Sequence, residues 1–158
     1  MTVEKKKLAR RGIKVIFYLY IIGIFYFVLL SERYGRDTGY DTSHVNLVLF
    51  KEINRFWTYR HLLSTEAVVT NLFGNIFAFS PFSFMIPIVI NKKKAFFRAV
   101  FATSFFSLVI ETSQLIMKVG VFDVDDLLMN TVGGLIGYMI YRVVVAVYDL
   151  YNRKRAAK

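Results

Sequence analysis

The stretch of sequence that decides the fold runs from Glu111 to Gly137 and reads ETSQLIMKVGVFDVDDLLMNTVGGLIG. Its first residues end one apolar segment, and its last residues begin another. Between them lie Asp123, Asp125 and Asp126, in a connection too short to form a domain. We therefore expect two apolar helices to meet at a small acidic turn. A charge such as that of Glu111 costs about 2.5–3.5 kcal/mol inside a bilayer even on the lenient scale, so it should face a cavity or the interior of a bundle.

On both sides of this stretch, the apolar residues of the chain are gathered into four long runs. Hydrophobic residues make up 56% of the 158, and the mean hydropathy is +0.46. Each run is close to the length of about 20 residues that crosses about 30 Å of hydrocarbon. The runs predict transmembrane helices at about 13–30, 68–90, 96–117 and 127–147, with basic tails at 1–12 and 148–158. The predicted fold class is therefore all-α: a polytopic membrane protein, in which residues 1–158 form one domain around a four-helix transmembrane bundle.

The distribution of basic residues accounts for the net charge of +10 and indicates an orientation. Most basic residues lie before the first run, between the second and third, or near and after the end of the fourth. In a chain that crosses four times these places share one side, which the positive-inside rule makes the cytoplasm. Both termini are therefore predicted to be cytoplasmic. Anionic lipid headgroups, not nucleic acid, are the expected counter-charge.

The segment between the first two runs contains an amphipathic stretch, VNLVLFKEINRFWTYR. Leu49, Ile53, Phe56 and Trp57 recur there at helical spacing. This pattern predicts a short helix that lies in the interface on the outer side, with the aromatic rings at headgroup level. The alternative is a plain extracytoplasmic loop.

Polar residues lie toward the same end of the last three predicted helices. They are Asn71 and Asn75 on the second, Glu111 and Gln114 on the third, and Asp125, Asp126 and Asn130 on the fourth. The predicted topology brings them to one depth on the outer side, which indicates a polar pocket at the outer leaflet. Two structural explanations remain open: interhelical hydrogen bonds for the asparagines, and capping of the fourth helix by one aspartate.

Small residues mark the surfaces where helices are expected to approach closely. Gly133 and Gly137 form a GxxxG pattern, and Gly74 with Ala78 forms a similar pair on the second helix. Without side chains, such positions let two helix backbones come into contact.

Three motifs follow one another along the chain: NLFGNIFAFSPFSFMIP, then ETSQL, then FDVDDLLMNTVGGLIGY. Their N-x-x-x-N, E-x-x-Q and D-x-D-D-x-x-x-N patterns resemble the VanZ-like membrane proteins in order and spacing. The resemblance covers roughly Arg36 to Tyr141. The chain departs from the family pattern at Leu49, where Pro is usual, and at Ser83, where Gly is usual.

The resemblance implies a protein of the bacterial cell membrane that is associated with resistance to teicoplanin and related glycopeptide and lipoglycopeptide antibiotics. The implied partners are membrane lipids, and a lipid-linked cell-wall precursor or the antibiotic itself. Nucleic acid is not expected as a partner. The resemblance is compatible with an oligomer of the chain. The family's recurrent polar positions correspond to Asn71, Asn75, Glu111, Gln114, Asp123, Asp125, Asp126 and Asn130. Asn46 and Arg36 match further positions upstream.

Three classes of function stay open at this point. A distant relation of the family to phosphatidylserine synthases suggests a headgroup-modifying enzyme, with Glu111, Asp126 and Asp125 as catalytic groups. Substrate would then be bound by Asn71, Asn75, Gln114, Asn130, Arg36 and Asn46, and Asp123, Asp125 and Glu111 could hold a divalent cation such as Ca²⁺ or Mg²⁺ through oxygen. The alternatives are a non-catalytic protein that binds lipid or antibiotic, and a small transporter or channel subunit.

Overall fold

The computed structural model describes residues 3–30 and 45–156. The elements are α1 (Val3–Phe25), continued by a π-helical turn (Tyr26–Leu30), β1 (Val45–Asn46), α2 (Lys51–Thr58), α3 (Thr65–Val89), α4 (Phe96–Met117), β2 (Phe122–Asp123) and α5 (Val124–Ala156). Four of the described helices, α1, α3, α4 and α5, are long and apolar enough to cross a membrane. The predicted all-α class is thus confirmed, and the short α2 lies where an interfacial helix was expected.

The helices extend further than the apolar runs predicted. α1 begins at Val3 and α5 ends at Ala156, so most of the two basic tails is helical. Lys, Arg and Ala are strong helix formers, and extending an existing helix is much easier than nucleating one. α3 begins at Thr65 because the Ser64 hydroxyl accepts a hydrogen bond from the Ala67 backbone N–H at 3.1 Å, which caps the helix.

The outer faces of the long helices remain apolar and exposed. Buried residues are at most a third of the apolar window of any long helix. Phe97, Phe101 and Phe77 are 83%, 74% and 70% exposed. Contiguous apolar surface of this extent is uncommon on water-soluble monomers, so lipid is the solvent that these faces fit.

Two glycines of α5 lie directly against the backbone of α3. A Cβ atom at Gly133 would be 2.6 Å from the carbonyl oxygen of Ile76, and one at Gly137 would be 1.9 Å from that of Ser80. Ser80 completes the contact, since its hydroxyl donates to the Gly133 carbonyl at 3.1 Å. The close contact between α3 and α5 therefore depends on the absence of side chains at these two positions.

The other glycines of the bundle differ in what they face. Gly134 faces α4, where a Cβ would be 2.7 Å from Cγ2 of Thr103. A Cβ at Gly74 would meet only Cγ2 of Thr70, in the same helix, at 3.6 Å. Gly74, which the sequence suggested as a packing residue, is therefore not a point of close helix approach within the described residues.

The bundle has two chemically different ends. At the first, which we call the polar end, α2 contacts α3 and α5, and β2 contacts α4 and leads directly into α5. At the opposite end, which we call the basic end, Lys93 in the loop after α3 pairs with Asp149 of α5, with Nζ and Oδ2 3.0 Å apart. The polar end contains the carboxylates that the sequence singled out, at Glu111, Asp123, Asp125 and Asp126.

Candidate functional site

A short parallel bridge joins the segment before α2 to the acidic turn before α5. Val45 pairs with Phe122 and Asn46 pairs with Asp123. The Asn46 amide also donates to both carboxylate oxygens of Asp123, at 3.2 Å each. Asn46, which the resemblance suggested as a binding residue, thus fixes the segment before α2 against the turn.

Asp123 connects three elements through its carboxylate and its backbone. Its Oδ1 accepts a hydrogen bond from the Asp125 N–H at 2.7 Å, which caps the start of α5. Its own N–H donates to Oε2 of Glu111 in α4, at 3.2 Å. The end of α4 and the start of α5 are therefore held together by Glu111 and Asp123.

Asp125 caps a helix to which it does not belong. Its Oδ2 accepts hydrogen bonds from the N–H groups of Glu52 and Ile53 at 2.8 and 3.3 Å, and its Oδ1 accepts one from Phe50. α2 has no side-chain cap of its own, because the residue before it, Phe50, has no hydrogen-bond acceptor in its side chain. The backbone of Phe50 is in a left-handed conformation, with φ of 65°. The sequence suggested that Asp125 or Asp126 caps the last helix, but Asp123 takes that role and Asp125 holds α2 in place.

We expect Asp125→Ala to release α2 from the bundle while leaving the four long helices intact. Loss of a helix cap costs about 2 kcal/mol at the upper end, which corresponds to roughly 30-fold faster amide exchange through local opening. Hydrogen exchange of the peptide over residues 49–58 measures this directly. Asp126→Ala is the matched control, because its hydrogen bond goes to α3; equal exchange rates in the two variants would contradict the capping role.

Asp126 and Glu111 have neither of these capping roles. The Asn75 amide of α3 donates to Oδ1 of Asp126 at 2.6 Å. Glu111 is 2% exposed, and the negative charges of Asp126 and Asp123 both act on it. Two carboxylates from different helices are thus close enough to influence each other inside the bundle.

A small cavity opens between α2, α3 and α5, and its volume is about 90 Å³. Its lining residues are Glu52, Ile53, Arg55, Phe56, Asn71, Leu72, Asp123, Asp125, Asp126 and Met129. Such a volume holds a few water molecules or one small polar group. α2 forms one wall, so the capping bond from Asp125 also sets the width of the cavity.

Negative charge dominates this cavity. Four of its lining residues are acidic, and the one cation, Arg55, pairs with Glu52 at 2.6 Å. Burial raises the pKa of the Glu52 carboxyl, and the neighbouring Arg55 charge opposes that rise. A hydroxyl or amine group, which can donate hydrogen bonds to carboxylates, fits this lining better than a bare phosphate does.

Several residues suggested by the sequence lie beside the cavity or away from it. Asn71 is on its rim, but its amide donates to the Ala67 carbonyl of its own helix at 2.8 Å. Gln114 is buried against Gly120 in the turn. Asn130 lies deeper and donates to the Ser107 hydroxyl at 2.8 Å, while its Oδ1 has no hydrogen-bond partner among residues 3–30 and 45–156. Arg36 lies outside the described residues.

The suggested cation ligands do not form a preassembled metal site. Within the part of the chain that the structure describes, no three His, Cys, Asp or Glu side chains are placed to hold a metal ion. The oxygens of Asp125 face backbone N–H groups of α2, and those of Asp123 face the Asn46 amide. These carboxylates serve as hydrogen-bond acceptors within the protein, and the proposed chemistry does not depend on Ca²⁺ or Mg²⁺.

Sequence reasoning missed the contribution of α2 to the cavity. Its aromatic residues suggested membrane contact, yet Glu52, Ile53, Arg55 and Phe56 form a wall. A signal was present in the pairing of Glu52 with Arg55, one turn apart on the helix that also carries Ile53 and Phe56.

The chain is similar to known proteins over most of its length. A model of the family described as VanZ/LLP1 matches residues 17–145, a range that includes every residue lining the cavity. Protein VanZ of Enterococcus faecium is 27% identical over 138 residues, which cover 85% of this chain and 74% of that protein. No solved structure matches the chain.

Proposed function

Because the chain belongs to the VanZ/LLP1 family, we propose that it is linked to resistance to teicoplanin and related glycopeptide antibiotics. Its four long apolar helices make it a multi-pass membrane protein. In our proposal the cavity beneath α2 opens at the outer leaflet of a bacterial cell membrane. It receives the headgroup of a lipid or of a lipid-linked cell-wall precursor.

The observation that carries this proposal is the gathering of four acidic residues around one cavity at the end of an apolar bundle. Carboxylates at or inside membrane-spanning segments are costly and usually mark a binding or transport path. The cavity lies at the polar end, where an outer-leaflet headgroup would reach it without crossing hydrocarbon. Its acidic lining favours the hydroxyl or amine part of a headgroup.

Different acidic residues would build the cavity and carry out any chemical modification of the headgroup. Asp123 and Asp125 accept backbone hydrogen bonds that hold α5 and α2 in place, which supports a role in building the cavity. Asp126 and Glu111 cap no helix, so they are the groups that proton transfer would use if a bond is made or broken.

The orientation can be tested by cysteine labelling, because the chain contains no cysteine. We expect His61→Cys, in the exposed segment between α2 and α3, to react with a membrane-impermeant maleimide in intact cells. Asn152→Cys, on the exposed end of α5, should react only after permeabilisation, because the basic residues favour the cytoplasm there. The reverse pattern would place the cavity on the inner side and remove the proposed access from the outer leaflet.

The proposed function is tested by expression in a teicoplanin-susceptible bacterial host. Growth in the presence of teicoplanin is compared between cells with the protein and cells with an empty vector, while a tag reports the membrane level. We expect the protein to raise the inhibitory concentration. An unchanged inhibitory concentration at a normal membrane level would contradict the link to resistance.

A further inference from the structure

A second depression lies at the basic end, opposite the acidic cavity. It is a groove of about 320 Å³ between α1, the end of α3 and the second half of α5. Its walls are largely aromatic and aliphatic, with Phe84 and Ile88 from α3 and Val144 and Tyr148 from α5. This groove shares no lining residue with the acidic cavity, so it is a separate feature of the bundle.

Three cations line the same groove: Arg10 of α1, and Lys92 and Lys93 in the loop after α3. Lys93 is neutralised by Asp149, with Nζ and Oδ2 3.0 Å apart. Within residues 3–30 and 45–156, neither Arg10 nor Lys92 has an acidic partner. The groove therefore presents two uncompensated positive charges above an apolar wall.

We propose that this groove binds an anionic phospholipid. Its phosphate lies between Arg10 and Lys92, and an acyl chain packs against Phe84 and Val144. Arg10 is only three residues inside Lys7–Leu29, the apolar span of the first long helix, so its guanidinium can lie at headgroup level. Tyr148 on the groove wall suits the same depth, because tyrosine prefers the interface between membrane and water.

The positive charge of the groove favours an anionic phospholipid over an apolar helix, a second copy of the chain or a zwitterionic lipid. A neighbouring apolar helix or a second copy of the chain would have to cover Arg10 and Lys92, and covering unpaired charges is costly. A zwitterionic lipid would leave the two positive charges in excess. Basic pockets between transmembrane helices recognise anionic headgroups in general, and each basic residue near such lipid contributes about 1 kcal/mol.

Native mass spectrometry of the purified full-length chain tests the proposal. The protein is titrated with phosphatidylglycerol or with phosphatidylcholine that carries the same acyl chains. We expect the first phosphatidylglycerol molecule that binds to each protein to bind more tightly than the first phosphatidylcholine molecule does. Arg10→Gln combined with Lys92→Gln should weaken that step by about 25-fold, which is about fivefold for each charge.

Arg11→Gln combined with Lys94→Gln is the matched control, because it removes the same charge from neighbouring positions that do not line the groove. This control should keep the wild-type preference. An equal loss of phosphatidylglycerol affinity in both double variants would show a general effect of surface charge and would contradict a binding site in the groove. So would equal binding of the two lipids by the wild type, a comparison that needs no variant. If inorganic phosphate displaced the lipid, free phosphate would be the ligand and the lipid assignment would be wrong.

Discussion

Gly137→Ala should destabilise the bundle by about 3 kcal/mol, at the upper end of what overpacking usually costs. The added methyl group would be 1.9 Å from the Ser80 carbonyl oxygen, a backbone atom that cannot move without shifting α3. Gly133→Ala should act in the same direction but less strongly, since its Cβ would be 2.6 Å from the Ile76 oxygen. Denaturation of the purified protein in detergent measures both effects.

Gly74→Ala is the matched control on the facing helix. A Cβ at Gly74 would meet only Thr70 Cγ2 at 3.6 Å, an ordinary contact, and alanine is the better helix former by about 0.5–1 kcal/mol. This variant should match the wild type or exceed it in stability. If Gly137→Ala denatured at the same point as Gly74→Ala, the close approach of α5 to α3 would be wrong.

The second large effect is expected from removing charge at Asp126 and Glu111 without changing shape. Asp126→Asn keeps an oxygen that can accept from the Asn75 amide, and Glu111→Gln keeps one for the Asp123 N–H. Repulsion among neighbouring carboxylates falls in both variants, so stability should hold or rise. Teicoplanin protection should nevertheless fall to the level of the empty vector in both variants. Asp126 lines the cavity, and Glu111, which does not line it, accepts a hydrogen bond from the backbone of the cavity residue Asp123.

Glu66→Gln provides the control for this experiment, since Glu66 is an exposed acidic residue of the same end that does not line the cavity. It should protect as the wild type does. Wild-type protection by both Asp126→Asn and Glu111→Gln, at equal membrane levels, would remove these charges from the function. If the bound headgroup is also modified, the loss of an acid or base should slow that step by about 10²–10⁴-fold.

The long helices could be predicted from sequence because hydropathy over about 20 residues is a local property. The runs at 68–90 and 96–117 agree closely with Thr65–Val89 and Phe96–Met117. The ends of α1 and α5 could not be placed in this way. Their basic residues lower the local hydropathy and so end the apolar runs, although they are good helix formers.

The candidate site was predictable only in part. The spacing of Asn75, Glu111 and Asp126 placed them at one end of three helices, and the structure joins Asn75 to Asp126 directly. No local pattern indicates that Asp125 caps α2, because the capping residue lies more than 70 positions along the chain from the helix that it caps. Long-range contacts of this kind follow from how helices assemble and not from the periodicity of any one helix.

The most direct test of the central claim is to identify the lipids that remain bound to the purified protein. Wild type, Asp126→Asn and Glu66→Gln are purified in parallel, and their lipids are extracted and quantified by mass spectrometry per mole of protein. We predict that one envelope lipid or lipid-linked precursor is enriched over the bulk membrane in wild type and Glu66→Gln and is lost in Asp126→Asn. The same lipid profile in all three would contradict headgroup binding in the acidic cavity.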